Sequence, residues 1–201
     1  MVRSTLRFVA AVLTVSGLLL ITDAGATLLW QEPVSWLLVE RQQGRLEEAL
    51  ANPSKRVLSK KPLPGDAIGR IELPSLDRDH FVIEGTDTKA LRKGPGHYPD
   101  TPLPGERGTV AIAGHRTTYG APFRTIDKLD NGDRIRLEMP YGRFNYRVQK
   151  TRIVEPTQVS VKRPVGYDRL ILSACHPLYS ATKRIVVFAR LQKRDDRTTV
   201  E

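Results

Sequence analysis

Apolar and polar positions follow three different patterns along this chain of 201 residues, and each predicts a different structure. From Leu6 to Trp30 the run LRFVAAVLTVSGLLLITDAGATLLW is mostly apolar. About 20 such residues are needed to cross a bilayer as a helix. Residues 33–51, PVSWLLVERQQGRLEEALA, place Trp36, Leu37, Val39, Leu46 and Leu50 near a helical period, and Pro33 suits a first helical turn. That helix is expected to pack on a membrane surface or on the domain that follows. Residues 52–66, NPSKRVLSKKPLPGD, hold three prolines and four basic residues and read as a linker.

From Ala67 onward the pattern changes to short strands with frequent turns. Ile68–Leu73 and His80–Glu84 are strand-like, and Thr109–Ala113 is small, apolar and suited to burial. Asp133–Met139 alternates with period two, as a half-exposed strand should. Tyr146–Gln149 and Arg152–Val154 continue it, and Arg169–Ser173 and Arg184–Ala189 are the last two. Asp130, Asn131, Gly132 and Asp133 form a strong turn signal. Thr86–Lys93 fits a short helix ended by Gly94 and Pro95. At least seven short strands with such punctuation predict a barrel or a sandwich. Residues 192–201 are polar and expected to fray.

The apolar N-terminal run decides where the rest of the chain lies. Arg3 and Arg7 place the N-terminus in the cytoplasm and the body outside. Ala24, Gly25 and Ala26 fit a signal-peptide cleavage site. The apolar continuation through Leu28 and Leu29 to Trp30 fits an uncleaved anchor instead, with Trp30 at the interface. Asp23 interrupts the run toward its distal end, where a carboxylate costs less. Both readings export the body, and the continuation favours the anchor. The expected organisation is a cytoplasmic tail and transmembrane anchor at 1–30, a juxtamembrane helix and linker at 31–66, a β-domain at 67–195 and a polar tail at 196–201. The location is then the cell membrane, single-pass, with the domain on the extracytoplasmic side.

Composition narrows the partners. Hydrophobic residues make up 40% and charged residues 27%, which suits a globular chain. The net charge of +10 admits nucleic acid, an anionic membrane or an anionic envelope. Nucleic acid is disfavoured, because no zinc-finger spacing, aromatic RNA-binding motif or basic helix is present. The densest basic patch, Lys55, Arg56, Lys60 and Lys61, lies soon after the apolar segment and points to an envelope surface.

The single cysteine, Cys175, excludes an intramolecular disulfide and argues against a cysteine-based metal cluster. No metal and no cofactor is expected. A lone cysteine is either buried and inert or a reactive thiol. Cys175 follows the apolar run Leu170–Ala174 and precedes His176 and Pro177, and Pro177 cannot continue a ladder. The thiol therefore sits where a rigid strand meets an opening. Of four histidines, His176 is adjacent in sequence but should face the other way on a strand. His80 begins a strand and His97 lies in a Gly- and Pro-rich loop. His115 follows the strand Thr109–Ala113 and Gly114, ahead of Arg116, Thr117 and Thr118. Arg184 opens the last strand, where a short loop could bring it beside the thiol.

Three blocks carry a family resemblance. GHYPDTPLPGERGTVAIAGHRTTYGAPF at 96–123 resembles the histidine block of sortases, and LILSACHPLYSATKRIVVFAR at 170–190 resembles their cysteine–arginine block. IGRIELPSLDRDHFVIEGTD at 68–87 is similar to the family's opening strands. The Cys-His-Pro triplet and the His-Arg-Thr-Thr-Tyr-Gly-Ala-Pro-Phe run most resemble class E sortases of actinobacteria. The resemblance implies an eight-stranded β-barrel with short helices behind an N-terminal transmembrane helix. It implies Cys175 as nucleophile, His115 as acid/base and Arg184 as oxyanion stabiliser. It also implies a transpeptidase that cleaves a C-terminal Leu-x-x-Thr-Gly-like sorting signal on surface proteins. The acceptor would be an amine of a cell-wall precursor or a pilin. A thiol peptidase that releases the acyl group to water, or a non-catalytic tethered β-module, is the alternative. The residue before the family cysteine is usually threonine, and here it is Ala174, which has no hydroxyl to contribute.

Overall fold

The computed structural model describes residues 2–30 and 33–196. Helix α1, Val2–Trp30, is continuous, and its Arg3–Ala26 stretch is long and apolar enough to cross a membrane. Among the described residues its large side chains are not covered by the rest of the chain, with Phe8 71% and Ile21 72% exposed. Helix α2, Pro33–Ala51, has the bounds that the helical period predicts. The side chains of Trp30, Trp36 and Leu37 lie outside the described residues. Farther along α2, Leu46 is buried with Ala67, Ile83 and Ala90. Gln43 donates from Nε2 to the Lys93 carbonyl at 2.7 Å and accepts from the Phe81 amide at 2.7 Å. Of the two expected surfaces, α2 therefore packs on the domain.

The segment expected to be a linker is folded onto that domain instead. Helix α3, Lys55–Leu58, is capped by Ser54 and buries Val57. Beyond it the Gly65 amide donates to the Glu84 carbonyl at 2.8 Å, and the Leu63 amide donates to Asp66 Oδ2 at 2.9 Å. The prolines that suggested a free connection fix φ in a chain already tied down at both ends.

Eight strands then close a barrel: β1 (Ala67–Leu73), β2 (Arg78–Glu84), β3 (Gly96–His97), β4 (Thr109–Ala113), β5 (Arg134–Met139), β6 (Gly142–Val154), β7 (Arg169–His176) and β8 (Lys183–Asp196). Helix α4, Thr88–Leu91, capped by Asp87, lies between β2 and β3. The order around the barrel is β1-β2-β3-β4-β7-β8-β6-β5. The pairs β2–β3 and β4–β7 are parallel, and the other pairs are antiparallel. The open choice between barrel and sandwich thus resolves to a barrel.

Several strands differ from the sequence expectation. The two runs at 146–149 and 152–154 are one strand, β6, bent by an irregularity between Val148 and Lys150. The extra residue breaks the period of two and hides the continuity. Residues 192–196 are not frayed, since β8 pairs with β6 as far as Gly142 and Asp196. Residues 197–201 of the polar tail lie outside the described residues. β7 continues through Cys175 to His176 before Pro177 ends it.

Alternation along these strands sorts the side chains into two faces. Val110 and Ile112 of β4, Leu170, Leu172 and Ala174 of β7, and Ile185, Val187 and Ala189 of β8 fill the barrel. Ala111, Ile171, Val186 and Phe188 point outward and form a second apolar cluster with Val154. Burying each large aliphatic side chain is worth ~1.5–3 kcal/mol, so the parity of each strand is strongly fixed. Cys175 shares the parity of Ile171 and so belongs to the outer face.

Candidate active site

Three neighbouring strands bring the candidate residues to one end of the barrel. In the β7–β8 ladder Cys175 is directly opposite Arg184. In the parallel β4–β7 ladder Ala113 is level with Ser173, and the Gly114 amide extends the pairing by donating to the Ser173 carbonyl at 3.0 Å. His115 lies two residues beyond Ala113, as Cys175 lies two beyond Ser173, so both follow the last β4–β7 pair by the same number of residues. Gly114 makes this junction possible. A Cβ there would meet the Phe123 ring at 2.5 Å, where the loop folds back and the Phe123 amide donates to the His115 carbonyl at 3.1 Å.

The side chains around this end are set up differently. Cys175 is half-buried and has no disulfide. The His115 ring packs against Tyr119, with centroids 4.9 Å apart, and its Nδ1 is 3.3 Å from Thr118 Oγ1. Nε2 is buried without a partner among the described residues. Burial lowers the His115 pKa below its ordinary value, and the positive charge of Arg92 lowers it further. A neutral imidazole is therefore favoured until a negative group arrives beside it. Arg184 donates from Nη1 to the carbonyls of Ala181 at 2.9 Å and Lys183 at 3.0 Å. These bonds hold one arm of the fork, and the described residues leave Nε and Nη2 without a hydrogen bond.

A groove leads from this end along the outer face. It is lined by Tyr98, Val154, Val159, Ile171, Ser173 and Arg184, among others, and holds some 540 Å³ of space open to solvent. The connection between β6 and β7 forms one wall. Tyr98 Oη and Ser173 Oγ lie 3.4 Å apart within it. Ala174 is 3% exposed and points into the barrel. A hydroxyl at 174 would face the core, and the hydroxyl on the groove side of β7 belongs to Ser173.

The other histidines are placed elsewhere. His176 Nδ1 accepts a hydrogen bond from Arg116 Nη1 at 2.9 Å, because a guanidinium offers no lone pair. His80 is largely buried on β2, and its pKa is pushed down to about 4 by burial first and by Arg78 second. His97 Nδ1 is 2.8 Å from Glu84 Oε2, and its Nε2 is 3.1 Å from both Thr101 Oγ1 and the Pro102 carbonyl.

Sequence reasoning missed Arg116. It is 3% exposed, forms an ion pair through Nη2 with Asp127 Oδ1 at 2.8 Å, and donates from Nε to the Arg124 carbonyl at 3.3 Å. Through His176 it joins the residue after His115 to the residue after Cys175. Its position next to His115 was the only signal, and a lone arginine in a polar loop does not announce burial.

Comparison with known proteins adds to this geometry. A sequence profile of the sortase domain matches residues 71–192. The chain is 36% identical to sortase D of Bacillus subtilis (strain 168) over 141 residues, covering 68% of this chain and 70% of that protein. It is 28% identical to sortase SrtE1 of Streptomyces coelicolor, covering 96% of this chain but only 58% of that protein's length. The crystal structure of sortase E1 from Streptomyces coelicolor with a tripeptide in the active site superposes with a TM-score of 0.61 at 28% identity. That similarity covers 67% of this chain and 93% of the solved one.

Proposed function

Because the chain belongs to the sortase family, we propose that it is a membrane-anchored cysteine transpeptidase with Cys175, His115 and Arg184 as its working residues. The observation that carries this reading is the ladder geometry: Cys175 is opposite Arg184, and Cys175 and His115 each stand two residues past the last β4–β7 pair, beside a groove that Ser173 and Arg184 help to line. The substrate is a surface protein with a C-terminal Leu-x-x-Thr-Gly-like sorting signal. Its leucine suits the walls formed by Val154, Val159 and Ile171, with the threonine carbonyl over Cys175.

The Cys175 thiolate adds to that carbonyl, forming a C–S bond and a tetrahedral oxyanion. Arg184 donates to the oxyanion through the arm of its fork that the loop carbonyls leave available. His115, protonated, gives its proton to the glycine nitrogen as the Thr–Gly C–N bond breaks. The acyl group stays on sulfur as a thioester. An incoming amine then attacks, loses its proton to His115 and releases the thiolate. The acceptor is an amine of a cell-wall precursor or a pilin. The low affinity of the buried His115 for a proton fits this cycle, since the imidazolium forms when the thiolate stands beside it.

Helix α1 as a single-pass anchor keeps the domain at the outer surface, where substrate and lipid-linked acceptor both lie. N-terminal sequencing of the mature protein tests the anchor, which requires an intact N-terminus; a start at Thr27 would mean cleavage. For the activity, a fluorescent sorting peptide is incubated with and without an added amine such as triglycine. The expected outcome is a peptide–amine product that dominates when the amine is present. Hydrolysis alone, unchanged by the amine, would make the protein a thiol peptidase.

A further inference from the structure

Four arginines stand side by side across the outer face of the barrel. Arg134 of β5 is opposite Arg147 of β6, Arg147 is opposite Arg190 of β8, and Arg190 is opposite Arg169 of β7. Their chain neighbours Ile135, Tyr146, Val148, Ala189 and Leu170 all fill the core, so the four side chains share the outer face. Adjacent strands are only ~4.8 Å apart, and like charges directly opposite each other destabilise a ladder.

Three other cations on the outer face are paired. Arg136 meets Glu72, Arg143 meets Glu138 and Lys193 meets Asp195. Among the described residues, none of the four row arginines has a carboxylate within ion-pair distance. Arg147 donates to the Gly132 carbonyl, Arg169 donates to the carbonyls of Val161 and Arg163, and Arg190 lies over the Tyr167 ring. Arg169 is buried under the β6–β7 connection and adds field rather than contacts. Arg134, Arg147 and Arg190 are exposed, and so are Lys150 and Arg152 farther along β6 toward the groove.

The row and the groove lie on one face. Arg190 is six residues along β8 from Arg184, a distance of ~20 Å at the usual strand rise. The apolar groove, with Ile171 and Val186, lies between them. In a Leu-x-x-Thr-Gly signal the leucine precedes the threonine. With the threonine at Cys175 and the leucine in the groove, the chain before the motif continues toward Arg190 and Arg147. About six extended residues cover that span.

We propose that Arg134, Arg147 and Arg190, with Lys150 and Arg152 on β6 between Arg147 and the groove residue Val154, form an accessory site for an acidic peptide segment just before the sorting motif. This proposal rests on the sorting-signal reading above. Carboxylates there neutralise the unpaired row and meet guanidinium groups suited to two-pronged contact. Continuity with the groove favours a peptide over a separate anion.

The test uses two peptides with the same sorting motif, one preceded by eight residues rich in Asp and Glu, the other by the matching Asn and Gln. At low salt, kcat/KM for the acidic peptide should exceed that for the neutral one by about tenfold, mainly through KM. The ratio should fall toward one at 0.5 M salt, as screening of exposed charges requires, ~0.5 M being far above physiological strength. Arg147→Glu/Arg190→Glu should bring the ratio to one or below at low salt, and Arg147→Gln/Arg190→Gln should fall between. A ratio near one for the wild-type protein, or one that the double variants leave unchanged, overturns the proposal. If neither peptide is turned over, the sorting-signal reading fails, and the accessory site is then judged by binding alone. Fluorescence anisotropy of a labelled acidic octapeptide lacking the motif should show binding that weakens at least tenfold in Arg147→Glu/Arg190→Glu. Equal binding to wild type and variant would overturn it.

Discussion

Replacing Arg116 by methionine tests the connection between the two halves of the candidate site. Methionine keeps the aliphatic stem and removes the charge, so no buried ion is left alone. Three contacts are lost: Nη1 to His176 Nδ1 at 2.9 Å, Nη2 to Asp127 Oδ1 at 2.8 Å and Nε to the Arg124 carbonyl at 3.3 Å. Hydrogen bonds to charged groups contribute about 1.5–3 kcal/mol each. The Asp127 side chain is 44% exposed, so water recovers much of its share. The Arg124 contact is long and contributes least. The His176 bond therefore dominates, and the expected loss of stability is about 2–4 kcal/mol. The loop keeps its own ties, from the Gly114 amide to Ser173 and from the Phe123 amide to His115, so the barrel should still fold. What changes is the alignment of His115 with Cys175. A shift of ~1 Å in reacting groups can cost about a hundredfold in rate. Urea unfolding gives the stability, acyl transfer to an amine gives kcat/KM, and alkylation of Cys175 checks that the thiol stays accessible. A variant within about 0.5 kcal/mol of wild type and within about threefold in kcat/KM, ~0.65 kcal/mol of transition-state energy, would refute the reasoning.

Arg184→Lys should slow single-turnover acylation by about a hundredfold or more, because lysine offers a point charge in place of a planar fork; a near-normal rate would leave Arg184 a purely electrostatic role. His115→Ala should reduce peptide transfer far more than His176→Gln, since His176 acts on the structure through Arg116; the reverse order would mean the wrong base. His80 should make the fold acid-sensitive. Its folded pKa of about 4 lies below the unfolded value of 6.5, so between these pH values only the unfolded chain binds the proton. Stability from neutral His80 is complete above pH 6.5 and is lost as pH falls toward 4, by about 2 kcal/mol at pH 5. His80→Phe should lose correspondingly less between pH 7.5 and pH 5 in urea unfolding; identical losses in the two proteins would contradict this.

Much of the barrel was legible because its strands obey one simple rule. Thr109–Ala113 reads as buried and is buried at every position, since both faces of β4 are covered. Asp133–Met139 alternates because β5 has one wet face. β3 escaped notice because two residues carry no period. The last third of β8 escaped because its charged residues look like a tail, and only pairing with β6 reveals Lys193 and Asp195 as one face of a strand. The candidate residues stood out from their places at strand ends and from the two sequence blocks around them. Arg116 could not, since burial of a guanidinium depends on Asp127 and His176, which are distant in sequence. The arginine row was hidden for the same reason: four residues on four strands become neighbours only through register.

Cys175 is proposed to carry the acyl group. The direct measurement is intact-protein and peptide-level mass spectrometry after mixing the protein with a Leu-x-x-Thr-Gly peptide in the absence of amine. The expected outcome is an adduct with the mass of the peptide up to its threonine, located on Cys175, that disappears when triglycine is added and never forms on Cys175→Ala. Cleavage of the peptide by a well-folded Cys175→Ala protein, or an adduct on any other residue, would contradict it.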